Sequence, residues 1–402
     1  MTQNNNIPQG YKKTEIGIIP QGWEIKTLCE CFSISAGRDV QKAFYSATPS
    51  EIHRYPIFSN SLENKGLYGY TSHPRHKSGS ITITGRGMLG VAEYRNTDFD
   101  AIVRLLVLFP KHPITGSLIA EYINFRKPFY LESTGVPQLT APQIANTPIP
   151  IPPLEEQRKI AKILGVWDEA IEKQSRLIEK LELRKRALMQ RLLTGRTRLP
   201  GFTTPWQKVK LGEICKRVTR RNEENNQNVM TISAQKGFVS QTDFFNKSVA
   251  SSTLDNYYLV LKDEFCYNKS YSNGYPMGAI KRLKEADKAV VTTLYICFSI
   301  TDKQKLSIDF FEQYCENGEF NQGLMKIANE GGRAHGLLNV TPTDFFSLVM
   351  LLPTLPEQNA IAEVLTTADD EIATNRKKLD AMRLQKRGLM QQLLTGKTRV
   401  NI

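Results

Sequence analysis

Gly396-Lys397-Thr398 has the ending of a phosphate-binding loop, in which backbone amides and a lysine neutralise nucleotide charge. That loop needs a glycine five residues before Gly396, where Gln391 stands, and it should follow a strand, whereas this segment closes an amphipathic run. His73 and His76 are spaced like metal ligands, but the chain has five histidines and no Cys or carboxylate cluster beside them to complete a coordination shell. They read better as part of a DNA-facing or solvated loop. Glu63-Asn64-Lys65, with Asp39 upstream, has the residue types of a metal-dependent nuclease, in a pattern short enough to recur by accident. Metal-dependent cleavage by the chain alone, abolished by Glu63→Ala, would establish that reading. The six cysteines lack CxxC spacing and read as buried free thiols. No nucleophile elbow, HExxH zinc motif or strand-borne dinucleotide fingerprint is present. The residues favour recognition over catalysis.

Basic residues are grouped with aromatic, Gly and Asn residues in several loops: His73-Pro74-Arg75-His76-Lys77, Gly85-Arg86-Gly87, Arg217 to Arg221, Asn268 to Asn273, and Gly331-Gly332-Arg333-Ala334-His335. Such loops suit phosphates and base edges, with Arg matched to guanine and Asn to adenine. On chemistry alone the candidate DNA-binding residues are Arg75, His76, Lys77 and Arg86 in the first half of the chain, and Lys269, Tyr271, Asn273, Arg333 and His335 in the second.

The elements that must position these loops are announced by a repeat. Leu154 to Arg198 aligns without a gap on Leu355 to Arg399 at an offset of 201, with 20 of 45 pairs identical. Thr140 and Thr341 share the offset, and a weaker echo pairs Trp23 with Trp206. The stretches between, about 25–150 and 209–352, match poorly, so a variable block and a near-constant block alternate twice.

Within the constant blocks the spacing is that of a heptad seam. The first copy runs Ile160, Leu164, Trp167, Ile171, Gln174, Ile178, Leu181, Lys185, Leu188, Leu192; the second runs Ile361, Leu365, Ala368, Ile372, Asn375, Leu379, Met382, Lys386, Leu389, Leu393. Polar residues fall at the same two places in both, costing stability while fixing register. Prolines at the entry and Thr-Gly at the exit predict helices of about 38 residues, roughly 57 Å each. A two-stranded intramolecular coiled coil is the expected solution, the alternative being two amphipathic helices that each pack on their own domain. Arg184, Arg186 and Arg191 lie beside the seam, as a docking face for partner proteins or as a solvated basic face. The variable blocks carry short β-rich runs broken by Gly, Asn and Pro, and predict compact α+β domains.

Composition sets the outer limits. The chain has 402 residues, a net charge of +13 and 40% apolar residues, which fits a folded protein of two or three domains with an affinity for polyanions. The excess is spread: +4 over 1–153, +5 over 154–198, +2 over 199–355 and +2 over 356–402. No apolar run approaches a membrane span, and the polar first residues do not resemble a secretory signal, so a cytoplasmic protein is expected.

Tyr11-Lys12-Lys13-Thr14-Glu15-Ile16-Gly17-Ile18-Ile19-Pro20-Gln21-Gly22-Trp23, then Ile149-Pro150-Ile151-Pro152-Pro153-Leu154-Glu155-Glu156-Gln157, then Leu192-Leu193-Thr194-Gly195 resemble the specificity subunit of type I restriction-modification enzymes. The likeness spans nearly the whole chain, with a looser second entry motif at Leu352-Pro353-Thr354-Leu355-Pro356-Glu357-Gln358. The resemblance implies an α+β protein with a pseudo-two-fold repeat. Target recognition domains at 1–150 and 199–352 would each read half of a bipartite DNA site, and constant helices at 151–198 and 353–402 would pair as an antiparallel coiled coil holding them apart. It further implies no catalysis in this chain, double-stranded DNA as ligand, and two modification and two restriction subunits as partners. S-adenosylmethionine, ATP and Mg would then belong to those partners, with no cofactor here and no membrane association. Two dissimilar recognition blocks imply a gapped, non-palindromic target whose gap follows the helix length. A coiled-coil adaptor that reads no DNA is the rival of a different class, separated by sequence-selective, salt-sensitive DNA binding.

Overall fold

The computed structural model describes residues 7–129, 137–241, 254–328 and 337–401. The chain forms two compact units, one of 1–175 with 377–402 and the other of 176–376. Each unit thus contains a variable block together with part of both constant helices.

In the first unit a four-stranded antiparallel sheet has the order Phe32–Ala36, Leu106–Pro110, Ser80–Ile83, Ala92–Arg95. All four residues of Ser80–Ile83 are buried, as a central strand covered on both faces requires. The helix Gly116–Arg126 covers this sheet, and a short ladder of Glu24–Thr27 on Pro148–Ile151 leads the chain into the first long helix. Trp23, Leu28, Ile81, Leu106, Ile119 and Ile149 build the core, which also takes in Ile160, Leu164, Leu393 and Leu394 from the long helices.

The second unit repeats this plan without sequence likeness. Its sheet has the order Cys215–Arg217, Ile296–Ile300, Phe265–Asn268, Ala279–Arg282, again antiparallel throughout. Gln207–Lys210 pairs with Val349–Leu352, as Glu24–Thr27 pairs with Pro148–Ile151. The helix Ile308–Glu316 takes the part of Gly116–Arg126. The core is aromatic where the first is aliphatic: Phe265, Phe298, Phe311 and Phe345 pack edge-to-face and stacked around Tyr267. Thr140 and Thr341, which share the offset of the repeat, are both N-caps of short helices, Ala141–Ala145 and Pro342–Phe346, with proline at the second and first helical position respectively.

The long helices span Leu154–Leu192 and Leu355–Leu393, 39 residues each. The second therefore starts in register with the first despite its looser entry motif. Every seam position is buried or half-buried while most flanking positions are exposed. Pairing is antiparallel: in the second unit Glu182, Arg184 and Lys185 meet Arg376, Glu371 and Asp369 in reverse order. In the first unit Lys386 meets Asp168 at 2.6 Å. Gln174 is buried, and Asn375 is half-buried and donates to the Glu371 carbonyl of its own helix at 2.8 Å. Among the described residues no helix is long and apolar enough to cross a membrane. Five cysteines are buried and Cys29 is half-buried, all as free thiols.

Candidate nucleic-acid interface

The entry motif into each long helix is a joint. Glu156 is fully buried and receives the Trp23 indole N–H at 3.0 Å and two N–H groups of Arg399 at 2.6 and 2.8 Å. Glu357 is held in the same way by Trp206 at 3.1 Å and Arg198 at 2.5 and 2.6 Å. The next residue ties the recognition block to the helix. Gln157 accepts from the Thr115 amide at 2.9 Å and donates to the Pro152 carbonyl at 2.8 Å. Gln358 accepts from the Ser307 amide at 2.8 Å and donates to the carbonyls of Pro353 and Lys305. Thr115 and Ser307 are the N-caps of the helices that cover the two sheets, so Gln157 and Gln358 set the angle at which each sheet meets its helix. In the sequence Glu156 and Glu357 stand only as members of the two entry motifs; their Trp and Arg partners are distant in the chain. The 201 offset linking Arg198 to Arg399 and the Trp23–Trp206 echo were the available signals.

The sheets present matching turns. In the first unit the connection from Ser80–Ile83 to Ala92–Arg95 carries Arg86, exposed and with no side-chain partner among the described residues, and Met88, 63% exposed. In the second, the connection from Phe265–Asn268 to Ala279–Arg282 carries Lys269, Tyr271, which is 69% exposed, and the exposed Asn273. Each turn is fastened at the same point. The Leu139 amide donates to the Gly85 carbonyl at 3.0 Å, and the Leu338 amide donates to the Lys269 carbonyl at 3.0 Å. Four of the sequence candidates therefore lie on equivalent turns of equivalent sheets.

Other candidates are committed inside their domain. Arg75 donates to the buried Asp100 carboxylate at 2.7 Å and to the Asp39 carbonyl at 3.2 Å, so two of its five N–H groups serve the fold. His76 stacks on Phe99 at 5.3 Å, and burial holds its pKa below the ordinary histidine range, so it stands neutral at pH 7 and offers no charge to a phosphate. Lys77 is exposed and pairs with Asp98 at 2.9 Å. In the run Arg217 to Arg221, Arg220 forks onto Glu264 at 3.1 Å twice, and Arg221 bonds the Asn256 carbonyl and lies over Tyr258. Arg333 and His335 lie outside the described residues. Beside the seam, Arg184 is ion-paired with Glu371, Arg191 reaches Thr197 at 3.2 Å, and Arg186 is exposed without a side-chain partner among the described residues.

Among the described residues no group of three or more His, Cys, Asp or Glu could hold a metal ion. Glu63-Asn64-Lys65 forms an exposed turn, with Asn64 and Lys65 in the left-handed region, and the Lys65 carbonyl accepts from Arg95 at 2.9 Å.

Two mixed domains of one plan, each fused to paired long helices and offering different side chains on the same turn, suit recognition more than catalysis. The family described as type I restriction modification DNA specificity domain matches residues 20–183, most of the first unit's variable block and the first long helix. The chain is 24% identical to the type I restriction enzyme MjaVIII specificity subunit of Methanocaldococcus jannaschii over 74% of its length and 73% of that protein. It is also 24% identical to the putative MjaX specificity subunit of the same organism, over 98% and 97% of the two chains. The crystal structure of the type I restriction-modification S subunit from M. genitalium shares the fold, with a TM-score of 0.60 at 15% identity over 100% of this chain and 99% of that one. Residues 20–183 thus carry the type I restriction modification DNA specificity domain, and over nearly its whole length the chain is similar to type I specificity subunits. Such subunits supply recognition of DNA sequence to their complex and do not themselves catalyse.

Proposed function

We propose that the chain reads a bipartite, gapped and asymmetric DNA target, with one half-site taken by the recognition domain of each unit. The observation that carries this reading is the pair of equivalent turns on equivalent sheets, which bear Arg86 and Met88 in one unit and Lys269, Tyr271 and Asn273 in the other. A shared frame with unlike side chains reads unlike bases, since Arg suits guanine and Asn suits adenine in the major groove. In this reading two modification subunits and two restriction subunits join the chain in the cytoplasm. S-adenosylmethionine for adenine methylation, and ATP and Mg for translocation and cleavage, bind to them. Arg186 is open on the helix surface for docking, Arg191 is exposed beside it with one N–H on Thr197, and Arg184 contributes when its pair with Glu371 is exchanged for a partner carboxylate. The recognition domains are 1–150 and 199–352, with 151–198 and 353–402 as the constant helices.

The test is a genome-wide map of methylated adenines in cells expressing the chain with its modification subunit, against cells lacking only this chain. One gapped, asymmetric motif should depend on it. An unchanged map beside an active modification subunit would overturn the reading.

A further inference from the structure

Seven arginines lie in residues 1–153, and the structure divides them sharply. Arg54 bonds the Tyr55 hydroxyl, Arg75 is spent on Asp100, Arg95 is buried on Thr82 and over the Phe58 ring, and Arg126 is bonded to Tyr122. Arg38, Arg86 and Arg104 are exposed and have no side-chain partner among the described residues. In the second unit's recognition block every described arginine, Arg217, Arg220, Arg221 and Arg282, is engaged within the fold.

The three open arginines come from distant parts of the chain and arrive at one crossing. The Arg38 amide donates to the Ala101 carbonyl at 3.2 Å, the Arg104 amide to the Gly37 carbonyl at 3.0 Å, and the Val103 amide to the Arg38 carbonyl at 3.2 Å. Asn60 clasps the remaining strands: its side-chain NH2 donates to the Val103 carbonyl at 2.7 Å, and its side-chain oxygen accepts from the Gly85 amide at 2.7 Å. Two glycines make the approach possible. A Cβ on Gly37 would stand 2.7 Å from the Ala101 carbonyl carbon, and one on Gly85 would stand 2.8 Å from the Leu139 oxygen and 3.0 Å from the Arg104 oxygen. Each of these glycines precedes one of the open arginines.

The third arginine sits on strained backbone. Val103 and Arg104 both occupy the left-handed region, with φ of 55° and 59°, and a β-branched residue there is a steric outlier that surrounding structure must enforce. The hydrogen bonds to Asn60, Arg38 and Gly37 do so. The strain earns the fold no buried contact of its own, since Val103 and Arg104 are both exposed. What it does is place the Arg104 backbone at the crossing with Arg38 and Arg86.

We propose that Arg38, Arg86 and Arg104 form the base-reading face of the first recognition domain and read guanine in its half-site, with Asn60 as the positioning residue that holds their three segments in register. This rests on the reading of the chain as a DNA specificity subunit. Guanidinium groups without internal partners keep their donor forks for N7 and O6 of guanine. In the second unit the turn equivalent to that of Arg86 offers the stacking face of Tyr271 and the amide of Asn273, the place of Arg104 is taken by the 56% exposed Leu294, and the place of Arg38 by Arg221, which bonds the Asn256 carbonyl and lies over Tyr258. The guanine preference therefore belongs to one half-site only.

The experiment uses the full chain with its modification subunit in cells and maps methylated adenines for the unaltered chain and for Arg38→Ala, Arg86→Ala, Arg104→Ala, Arg104→Lys and Asn60→Ala. The expected result is relaxation at guanine positions within one half-site, by roughly tenfold in discrimination at a position losing its bidentate contact, while the other half-site stays strict. The strict half doubles as the folding control. Asn60→Ala should relax the same positions as Arg104→Ala, which a general loss of stability would not do. Lower methylation at every site with an unchanged motif reduces these arginines to phosphate contacts and overturns the proposal, as does an unchanged map. If Arg104→Ala abolishes methylation altogether, Arg104→Lys decides: it keeps the charge but not the fork, so a relaxed motif supports the proposal and a retained one sinks it. Absence of any chain-dependent motif with the unaltered protein is the separate failure of the specificity-subunit reading.

Discussion

Glu121 in the first unit and Gln313 in the second occupy the same place, six residues after the N-caps Thr115 and Ser307, each bonded to a member of an equivalent Lys–Asp pair of the long helices. Lys386 reaches both oxygens of Glu121 at 3.0 and 2.9 Å and Asp168 at 2.6 Å. In the second unit Lys185 reaches Asp369 at 2.5 Å, and Gln313 donates to the same carboxylate at 2.8 Å. The helix side of the joint is constant and the domain side adapts, by a charge in one unit and an amide in the other. The amide version leaves the Gln313 side-chain oxygen buried without a hydrogen-bond partner among the described residues.

The sharpest break in this likeness comes at the buried carboxylates. Glu357→Ala leaves the Trp206 N–H and the Arg198 guanidinium without their shared acceptor, and should cost about 3 kcal/mol. Glu156→Ala should cost less, because Arg399 at 42% exposure can turn to water more readily than Arg198 at 26%. Denaturant unfolding of the two variants beside the parent checks the order, and a reversed order would refute it. Next come the glutamines. Gln358→Ala removes three hydrogen bonds to backbone groups and Gln157→Ala removes two, with expected losses of about 2 and about 1 kcal/mol in the same assay.

A finer comparison exchanges the domain-side groups themselves. Burial pushes the Glu121 carboxyl above its ordinary range even beside Lys386, so the folded protein holds that proton more tightly than the unfolded chain does. Its contribution to stability is therefore fully present at acid pH and is lost as pH rises through the folded value. Glu121→Gln, which borrows the second unit's solution, should melt no lower than the parent at neutral pH, and the difference should close as the solution is taken below the carboxylate range. A lower melting temperature at neutral pH would mean that the charge itself is needed. The smallest effect is expected at the helix surface: Arg184→Ala breaks an exposed pair with Glu371 and should change stability by less than about 1 kcal/mol, most visibly at low salt.

The two long helices were legible in the sequence to within a residue because a heptad pattern, proline entries and Thr-Gly exits are local signals, duplicated at a fixed offset. Lys185 and Lys386 were legible as polar seam positions but not as anchors for Glu121 and Asp369, since their partners come from other elements. The recognition blocks were legible only as α+β. Their shared sheet order was hidden because it is kept by aliphatic packing around Ile81 and Leu106 in one case and by aromatic packing around Phe265 and Phe298 in the other. Among the DNA candidates, composition could not tell an arginine that serves the fold, as Arg75 does, from one that is left open, as Arg86 is. Two Gly-Arg steps, Gly37-Arg38 and Gly85-Arg86, marked the crossing in the first block, but nothing local tied them to Val103 and Arg104.

The division of the chain into a contiguous unit and a split one also sets an order in time. Residues 176–376 are all synthesised before 377–402, so the second unit has every part it needs while the first still lacks Leu389, Leu393 and Arg399. Until those arrive, Glu156 has no arginine, and Ile160 and Leu164 face a vacant place in their core. The half of the protein that leaves the ribosome first is the half that closes last, and in that interval its unfinished joint is the surface on which a newborn chain can mispair with another.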